Sequence, residues 1–94
     1  MNRFQTLIFS FYREDLDTLR ILSPVQDCMI TRNKESICID CLNSSHLDQI
    51  SYLLPLLRTP FLLLGIGRQI VLYNKGNFRR AYPMKIPFHS DFLV

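Results

Sequence analysis

Apolar and polar positions near the start of the chain predict a strand followed by a short helix. Residues 4–11 are rich in aromatic and branched side chains, and apolar groups recur there at every second position, which is the spacing of one strand face. Acidic side chains then precede leucines at helical spacing. We therefore expect a helix over residues 14–22 that ends at Ser23 and Pro24.

The middle of the chain has the pattern of an antiparallel hairpin followed by a helix. Two β-prone segments, residues 28–31 and 36–42, flank a polar cluster and are predicted to pair as strands. Residues 45–54 follow, with serines suited to cap a helix and with leucine and isoleucine at helical spacing. Because the ring of Pro55 would clash with the carbonyl of the preceding turn, we expect this helix to kink or end near Leu54.

The last third of the chain is predicted to be β structure. Residues 61–66 are continuously apolar and lie between helix-breaking residues, which is typical of a strand covered on both faces. We therefore expect this segment at the centre of a sheet. Residues 69–73 and 78–82 then predict a second hairpin around the turn residues 74–77.

This order of elements predicts an α+β fold. Helices on one face of a mostly antiparallel sheet make a two-layer sandwich, and the leading topology is a ferredoxin-like βαββαβ core with an added C-terminal hairpin strand and two helices on one face. A chain of 94 residues suits a single α+β domain, residues 1–94, because it buries too little surface for a second core. Residues 86–94 are expected to form an extended apolar tail.

Composition and charge narrow the functional classes. A mean hydropathy of +0.09 is high for so short a chain and favours apolar surface that is buried against a partner. The net charge of +3 is modest, although the cations are concentrated in the C-terminal half. Three cysteines without a secretory leader indicate a reducing cytoplasm. Prolines and an arginine interrupt the apolar run of residues 50–66, so we expect no membrane segment.

The leading hypothesis is a small non-catalytic module for protein–protein interaction or regulation. A sheet with helices on one side leaves its other face open, and the first predicted strand has apolar side chains on both of its faces. The C-terminal tail also keeps large apolar groups where a solvated terminus is usually polar. We expect a homo-oligomer or docking on a larger protein. The predicted partner-binding residues are Phe4, Ile8, Phe88, Phe92 and Leu93.

The alternative hypothesis is nucleic-acid binding by the basic and aromatic hairpin of residues 69–85. If a two-residue turn closes this hairpin, the rings of Tyr73, Phe78 and Tyr82 fall on one side together with an arginine. Stacking rings beside cations are the usual elements of single-strand binding. The residues predicted to take part are Arg68, Tyr73, Lys75, Phe78, Arg79, Arg80, Tyr82 and Lys85.

Candidate chemistry is sparse in this chain. A possible metal-ligand set consists of Cys28, Cys38, Cys41 and His46. In an extended strand, however, Cys38 and Cys41 point to opposite faces and cannot bind one ion. We interpret the thiols as buried and structural, and we expect no metal, no cofactor and no enzymatic activity. A regulatory domain for a small effector is a further possibility, by analogy with ferredoxin-like domains alone.

Overall fold

A computed structural model describes residues 1–85 of the chain. This part forms four α-helices, one short 3-10 helix and one sheet. None of the helices in this part is long and apolar enough to cross a membrane. In chain order the elements are α1 (Arg3–Phe11), α2 (Leu16–Ile21), the 3-10 helix (Ser23–Asp27), β1 (Met29–Asn33), β2 (Ser36–Cys41), α3 (Ser44–Tyr52), α4 (Leu54–Leu63), β3 (Gln69–Asn74) and β4 (Asn77–Pro83).

The four strands form one mixed sheet in the order β1-β2-β3-β4. β1 and β2 pair antiparallel, β2 and β3 pair parallel, and β3 and β4 pair antiparallel. A mixed α+β fold with several helices is therefore confirmed. The ferredoxin-like order and its two-layer arrangement are not confirmed, because strands that are consecutive in the chain are also neighbours in this sheet. The crossover between β2 and β3 contains both α3 and α4.

The strand predicted over residues 4–11 is wrong, because this segment is α1. The helix begins with a capping box, in which the Asn2 side chain accepts hydrogen bonds from the Phe4 and Gln5 N–H groups. The Gln5 side chain in turn accepts one from the Asn2 N–H. Gln5 and Ile8, three positions apart, are both buried, whereas a half-buried strand would bury every second residue.

The central strand predicted over residues 61–66 is also wrong, because the first part of this segment is the end of α4. Pro55 lies in the first turn of α4, where a backbone N–H would have no partner within the helix, so proline is tolerated there. Pro60 lies inside the helix. Leu57 and Phe61, one helical turn apart, are both fully buried. Burial of two such side chains stabilises the fold by about 3–6 kcal/mol. This gain offsets the destabilisation of about 3 kcal/mol that a proline inside a helix causes.

The helix and hairpin predicted in the middle of the chain are confirmed in outline. β1 and β2 pair as the predicted hairpin, with Lys34 in the left-handed conformation at the turn. α3 overlaps the predicted helix and ends at Tyr52, shortly before Pro55. Its cap is Asn43 in place of the expected serine, and the Asn43 side chain accepts a hydrogen bond of 2.8 Å from the His46 N–H.

One core unites the sheet with the helices. Ile30 pairs with Ile39 and Ile39 pairs with Leu72, so these side chains share one face of the sheet, which we call the inner face. All three are fully buried. Other members of the same core are Ile8, Ile37, Cys41, Ile50, Leu57, Phe61 and Ile70. The buried residues of α1, α3 and α4 therefore belong to the same core as the inner face.

Gly67 is a position at which a side chain has no space. Its φ is +77°, and a Cβ atom there would lie 3.1 Å from Ile37 Cγ1 and 3.3 Å from the Glu35 carbonyl oxygen. Gly65 has a similar φ of +68°, but among residues 1–85 no heavy atom beyond its chain neighbours lies within 4 Å of its Cβ position. We expect Gly67→Ala to lower the free energy of unfolding by about 2–3 kcal/mol and Gly65→Ala by about 1 kcal/mol, because only the first also crowds β2. Urea denaturation measures both losses, and equal losses would contradict the close approach at Gly67.

Candidate functional site

The sheet has a second face that the core does not use. Side chains alternate between the two faces of a strand, so the neighbours of the inner-face residues point away from the core. The strand register arranges them in rows that cross the sheet. The outer face, as we define it, consists of Met29, Asp40, Tyr73 and Phe78 in one row and Thr31, Cys38, Val71 and Ala81 in the next.

Large apolar groups are exposed at the two edges of the outer face. Met29 and Phe78 are each 61% exposed. The Phe78 ring stands edge-on to the Tyr73 ring, with 6.3 Å between their centroids. Val71, near the middle of the face, is buried but is not a member of the core cluster. The outer face is thus an apolar surface that is separate from the core.

The outer face carries little charge. Among its eight residues Asp40 is the single carboxylate, and it accepts a hydrogen bond of 3.0 Å from the Gly76 N–H. No lysine or arginine belongs to the two rows. The electrostatic effect of neighbouring Cys38 raises the pKa of the Tyr73 hydroxyl, so Tyr73 stays uncharged at neutral pH.

The side chains predicted to bind nucleic acid do not share one face. Tyr73 pairs with Phe78 as predicted, but Arg79 is then an extra residue that makes a bulge in β4. The bulge reverses the alternation beyond it, so Arg80 and Tyr82 belong to the inner face. The predicted register, with three rings and an arginine on one side, is therefore wrong.

Two of the cations predicted to take part in nucleic-acid binding have partners within residues 1–85. Arg80 donates a hydrogen bond of 3.0 Å to the Ser51 hydroxyl and lies 3.6 Å from an Asp48 oxygen. Arg68 Nε lies 2.6 Å from a Glu35 oxygen. The other cations of the set are Lys75 in the β3–β4 turn, Arg79 in the bulge and Lys85 at the end of the described chain. Nucleic-acid binding stays a prediction. The rings and cations that it requires do not lie on one common face of the sheet.

The predicted partner-binding residues do not belong to the outer face. Ile8 is fully buried in α1, and Phe4 is half-buried with its ring centroid 6.2 Å from that of Phe61. Their assignment to an open sheet face was wrong, because that assignment required a strand where α1 forms. The remaining three, Phe88, Phe92 and Leu93, lie outside the described residues.

Sequence reasoning missed Met29 and Cys38 as members of the outer face. A signal for them was present, because β2 alternates strictly between buried and half-buried side chains and its neighbours follow its register. The isoleucines of β1 and β2 indicate which side of each strand faces the core. The alternate positions of the same strands then belong to the outer face.

Two cysteines and a histidine meet on the inner side of the sheet. Cys28 precedes β1, Cys41 ends β2 and His46 lies in the first turn of α3, and all three side chains are buried. Their sulfur and ring nitrogen atoms lie within 4.8 Å of one another. Cys38 belongs to the outer face instead, as the alternation of the strand predicts.

The hydrogen bonds of His46 determine which ring nitrogen carries the proton. The Leu42 N–H donates to His46 Nδ1 at 2.9 Å, so Nδ1 is an acceptor. Nε2 then carries the proton and donates it to the Pro24 carbonyl at 2.8 Å. In this state neither nitrogen has a free lone pair for a metal. Within residues 1–85 the cluster also offers three donor groups, whereas structural zinc sites use four. The geometry fits a buried structural histidine.

The two buried thiols influence each other. The interaction with Cys41 raises the pKa of the Cys28 thiol, and burial raises it further. The interaction with Cys28 lowers the pKa of the Cys41 thiol. Cys41 is therefore the thiol of this pair that loses its proton first.

Comparisons of this chain with protein-family models, with curated proteins and with solved structures found no match.

Proposed function

We propose that this chain is a small non-catalytic interaction module that associates with a second copy of itself through the outer face. The observation that carries the proposal is the exposure of Met29 and Phe78 on a sheet face that the core does not use. Exposed apolar groups that share one surface are typical of sites at which a protein meets a partner. A regulatory role would act through this association.

The charge pattern of the outer face is compatible with a second copy as the partner. The net charge of +3 makes two copies repel each other at long range, but the outer face adds no lysine or arginine to the contact. Its carboxylate, Asp40, is hydrogen-bonded within its own chain to Gly76. Facing sheets pack about 10 Å apart with interdigitated side chains, and Met29 and Phe78 are long enough to fill that space.

The size of the outer face predicts weak association. Four strands about 4.8 Å apart, each with two outer-face positions about 7 Å apart, give a face of roughly 250 Å². A standard stable interface uses about 800 Å² on each partner. We therefore expect a monomer–dimer equilibrium at micromolar or higher concentration, in which loss of one large apolar side chain has a clear effect.

The end of α4 is a second exposed apolar region and provides a rival surface. Leu63 and Leu64 are 68% and 58% exposed. Arg58 and Lys85 line the groove beside Leu62, so two copies that met there would bring cations together. We therefore assign the interface to the outer face and use the leucines as a control.

The proposal predicts that Phe78→Glu strongly weakens self-association of the chain of residues 1–94. Sedimentation velocity over a concentration series up to several hundred micromolar measures the monomer–dimer equilibrium. A carboxylate buried in a small interface is expected to weaken the dimer at least tenfold, because a charge without a partner must lose its water. Far-ultraviolet circular dichroism of the variant checks that the fold is retained.

Two controls separate the outer face from other surfaces. Tyr52→Glu changes an aromatic residue that is 89% exposed on α3, and Leu63→Glu changes the rival region. Both variants should dimerise like the original chain. The proposal is contradicted if the original chain stays monomeric throughout, or if Leu63→Glu abolishes the dimer while Phe78→Glu does not. Serine substitutions of Phe88, Phe92 and Leu93 test the tail in the same assay.

The proposed compartment is the reducing cytoplasm. Its support is that Cys28, Cys38 and Cys41 are all free thiols. A secreted domain of this size would ordinarily use its cysteines for permanent disulfides.

A further inference from the structure

The proposed function leaves unused the pair of buried thiols at the open end of the β1–β2 hairpin. Met29 pairs with Asp40, so continuing the antiparallel register by one residue places Cys28 opposite Cys41. The Cys28 backbone is extended, with φ −87° and ψ 154°. Residues opposed in this way have Cα atoms about 4.5–5.5 Å apart, which lies inside the range of about 4.4–6.8 Å that disulfides span.

We infer that Cys28 and Cys41 form a reversible disulfide when the chain meets a small-molecule disulfide. Their sulfur atoms lie within 4.8 Å of each other, and a disulfide bond is about 2 Å long. Rotation of the two side chains closes that gap without a change in strand pairing. This inference does not depend on self-association, because both residues belong to the inner side of the sheet.

The reaction is a pair of thiol–disulfide exchanges. The Cys41 thiolate attacks one sulfur of the small disulfide, which forms a mixed disulfide and releases one small thiolate. The Cys28 thiolate then attacks Cys41 Sγ, forms the Cys28–Cys41 bond and releases the second small thiolate. The two protein thiols are oxidised, the small disulfide is reduced to two thiols, and the protons lost by the cysteines pass to those thiols.

The neighbours of the pair favour a disulfide over a metal site. His46 Nε2 lies 3.8 Å from Cys28 Sγ but is committed to the Pro24 carbonyl, so it does not complete a ligand set. Both thiols are nearly inaccessible, with Cys28 7% and Cys41 3% exposed. Reaction therefore requires local opening around the two thiols. We expect slow oxidation that reaches completion at equilibrium.

The test uses the chain of residues 1–94 with Cys38→Ser, which removes the thiol of the outer face and leaves the other two. The protein is equilibrated in buffers of increasing ratio of oxidised to reduced glutathione, acid-quenched, alkylated and measured by mass spectrometry. We expect a monomeric product that lacks two hydrogen atoms and carries no glutathione. Digestion by trypsin should give peptide 21–32 linked to peptide 35–58, and reduction should restore both thiols. The melting temperature of the oxidised form should rise by about 10 °C.

Two further variants and the addition of zinc complete the test. Cys28→Ser or Cys41→Ser in the same background removes one partner, so neither should give the linked peptides. The inference is overturned if both thiols remain open to alkylation in the most oxidising buffer, or if only glutathione adducts form. It is also overturned if added zinc binds in a one-to-one ratio and blocks oxidation, since the cluster would then be a metal site.

Discussion

Phe61→Ala is expected to lower the free energy of unfolding by about 3–5 kcal/mol, which is typical for loss of a buried aromatic side chain. Phe61 is fully buried near the end of α4, and its ring packs against the ring of Phe4 in α1. The substitution leaves a cavity that borders two helices and the core, where the backbone has little freedom to collapse. Because a domain of this size is stable by about 5–15 kcal/mol, the loss removes a large part of its stability. Urea denaturation followed by circular dichroism measures it.

Leu63→Ala is the matched control for this prediction. Leu63 lies two residues further along the same helix and is 68% exposed, so its loss should change stability by less than about 0.5 kcal/mol. The pair also distinguishes the observed helix from the strand predicted over residues 61–66. A strand covered on both faces would bury residues 61 and 63 alike, and the two variants would then lose similar amounts. Similar losses would contradict α4 as described.

Gln5→Ala is expected to lower the free energy of unfolding by about 3 kcal/mol, although it removes a polar side chain. Gln5 is 4% exposed, and its amide donates hydrogen bonds of 2.9 Å to the Val25 carbonyl and 2.8 Å to the Cys28 carbonyl. Its side-chain oxygen accepts one of 2.8 Å from the Asn2 N–H. Removing the amide leaves these backbone groups without partners, and each buried unsatisfied group costs about 1–3 kcal/mol. Thermal or urea denaturation measures the loss.

Gln5→Glu tests the direction of these hydrogen bonds. The introduced carboxylate has no N–H to donate and faces carbonyl oxygens, so its folded-state pKa should be raised above the unfolded value of about 4.3. A raised folded pKa means that stability is fully present below the unfolded pKa and is lost as the pH rises through the folded pKa. The melting-temperature difference between the original chain and Gln5→Glu should therefore widen between about pH 4 and about pH 8.

The matched control for this pH dependence is Gln49→Glu. Gln49 is exposed on α3 and donates no side-chain hydrogen bond to buried carbonyls within the part of the chain that the structure covers. Its substitution should give a nearly constant difference over the same pH range. A Gln5→Glu difference that narrows with rising pH would show that the side chain at position 5 does not donate to Val25 and Cys28.

Local signals predicted the parts of the fold that depend on a few neighbouring residues. The two hairpins and α3 were predicted because turn residues and helix caps act over three or four positions. Residues 4–11 were misassigned because short apolar periodicity fits either a strand or a helix. The capping box of Asn2 and Gln5 was a local signal that could have corrected this. For residues 61–66 the prolines indicated a break, and only packing shows that α4 continues through Pro60.

The candidate site was less predictable than the fold. The pairing of Tyr73 with Phe78 followed from the turn, but the bulge at Arg79 moved Arg80 and Tyr82 to the inner face. A bulge depends on how β4 meets β3 along its whole length, and no residue of the turn signals it.

By itself, the sequence determined a mixed α+β composition, an apolar excess and the alternation that separates Cys38 from Cys41, because each depends on neighbours in the chain. Only the tertiary structure decided that Cys28, Cys41 and His46 meet, and that Met29 and Phe78 share a sheet face that the rest of residues 1–85 leaves exposed. Those outcomes depend on register between segments that are distant in sequence, and register is set by packing of the whole core.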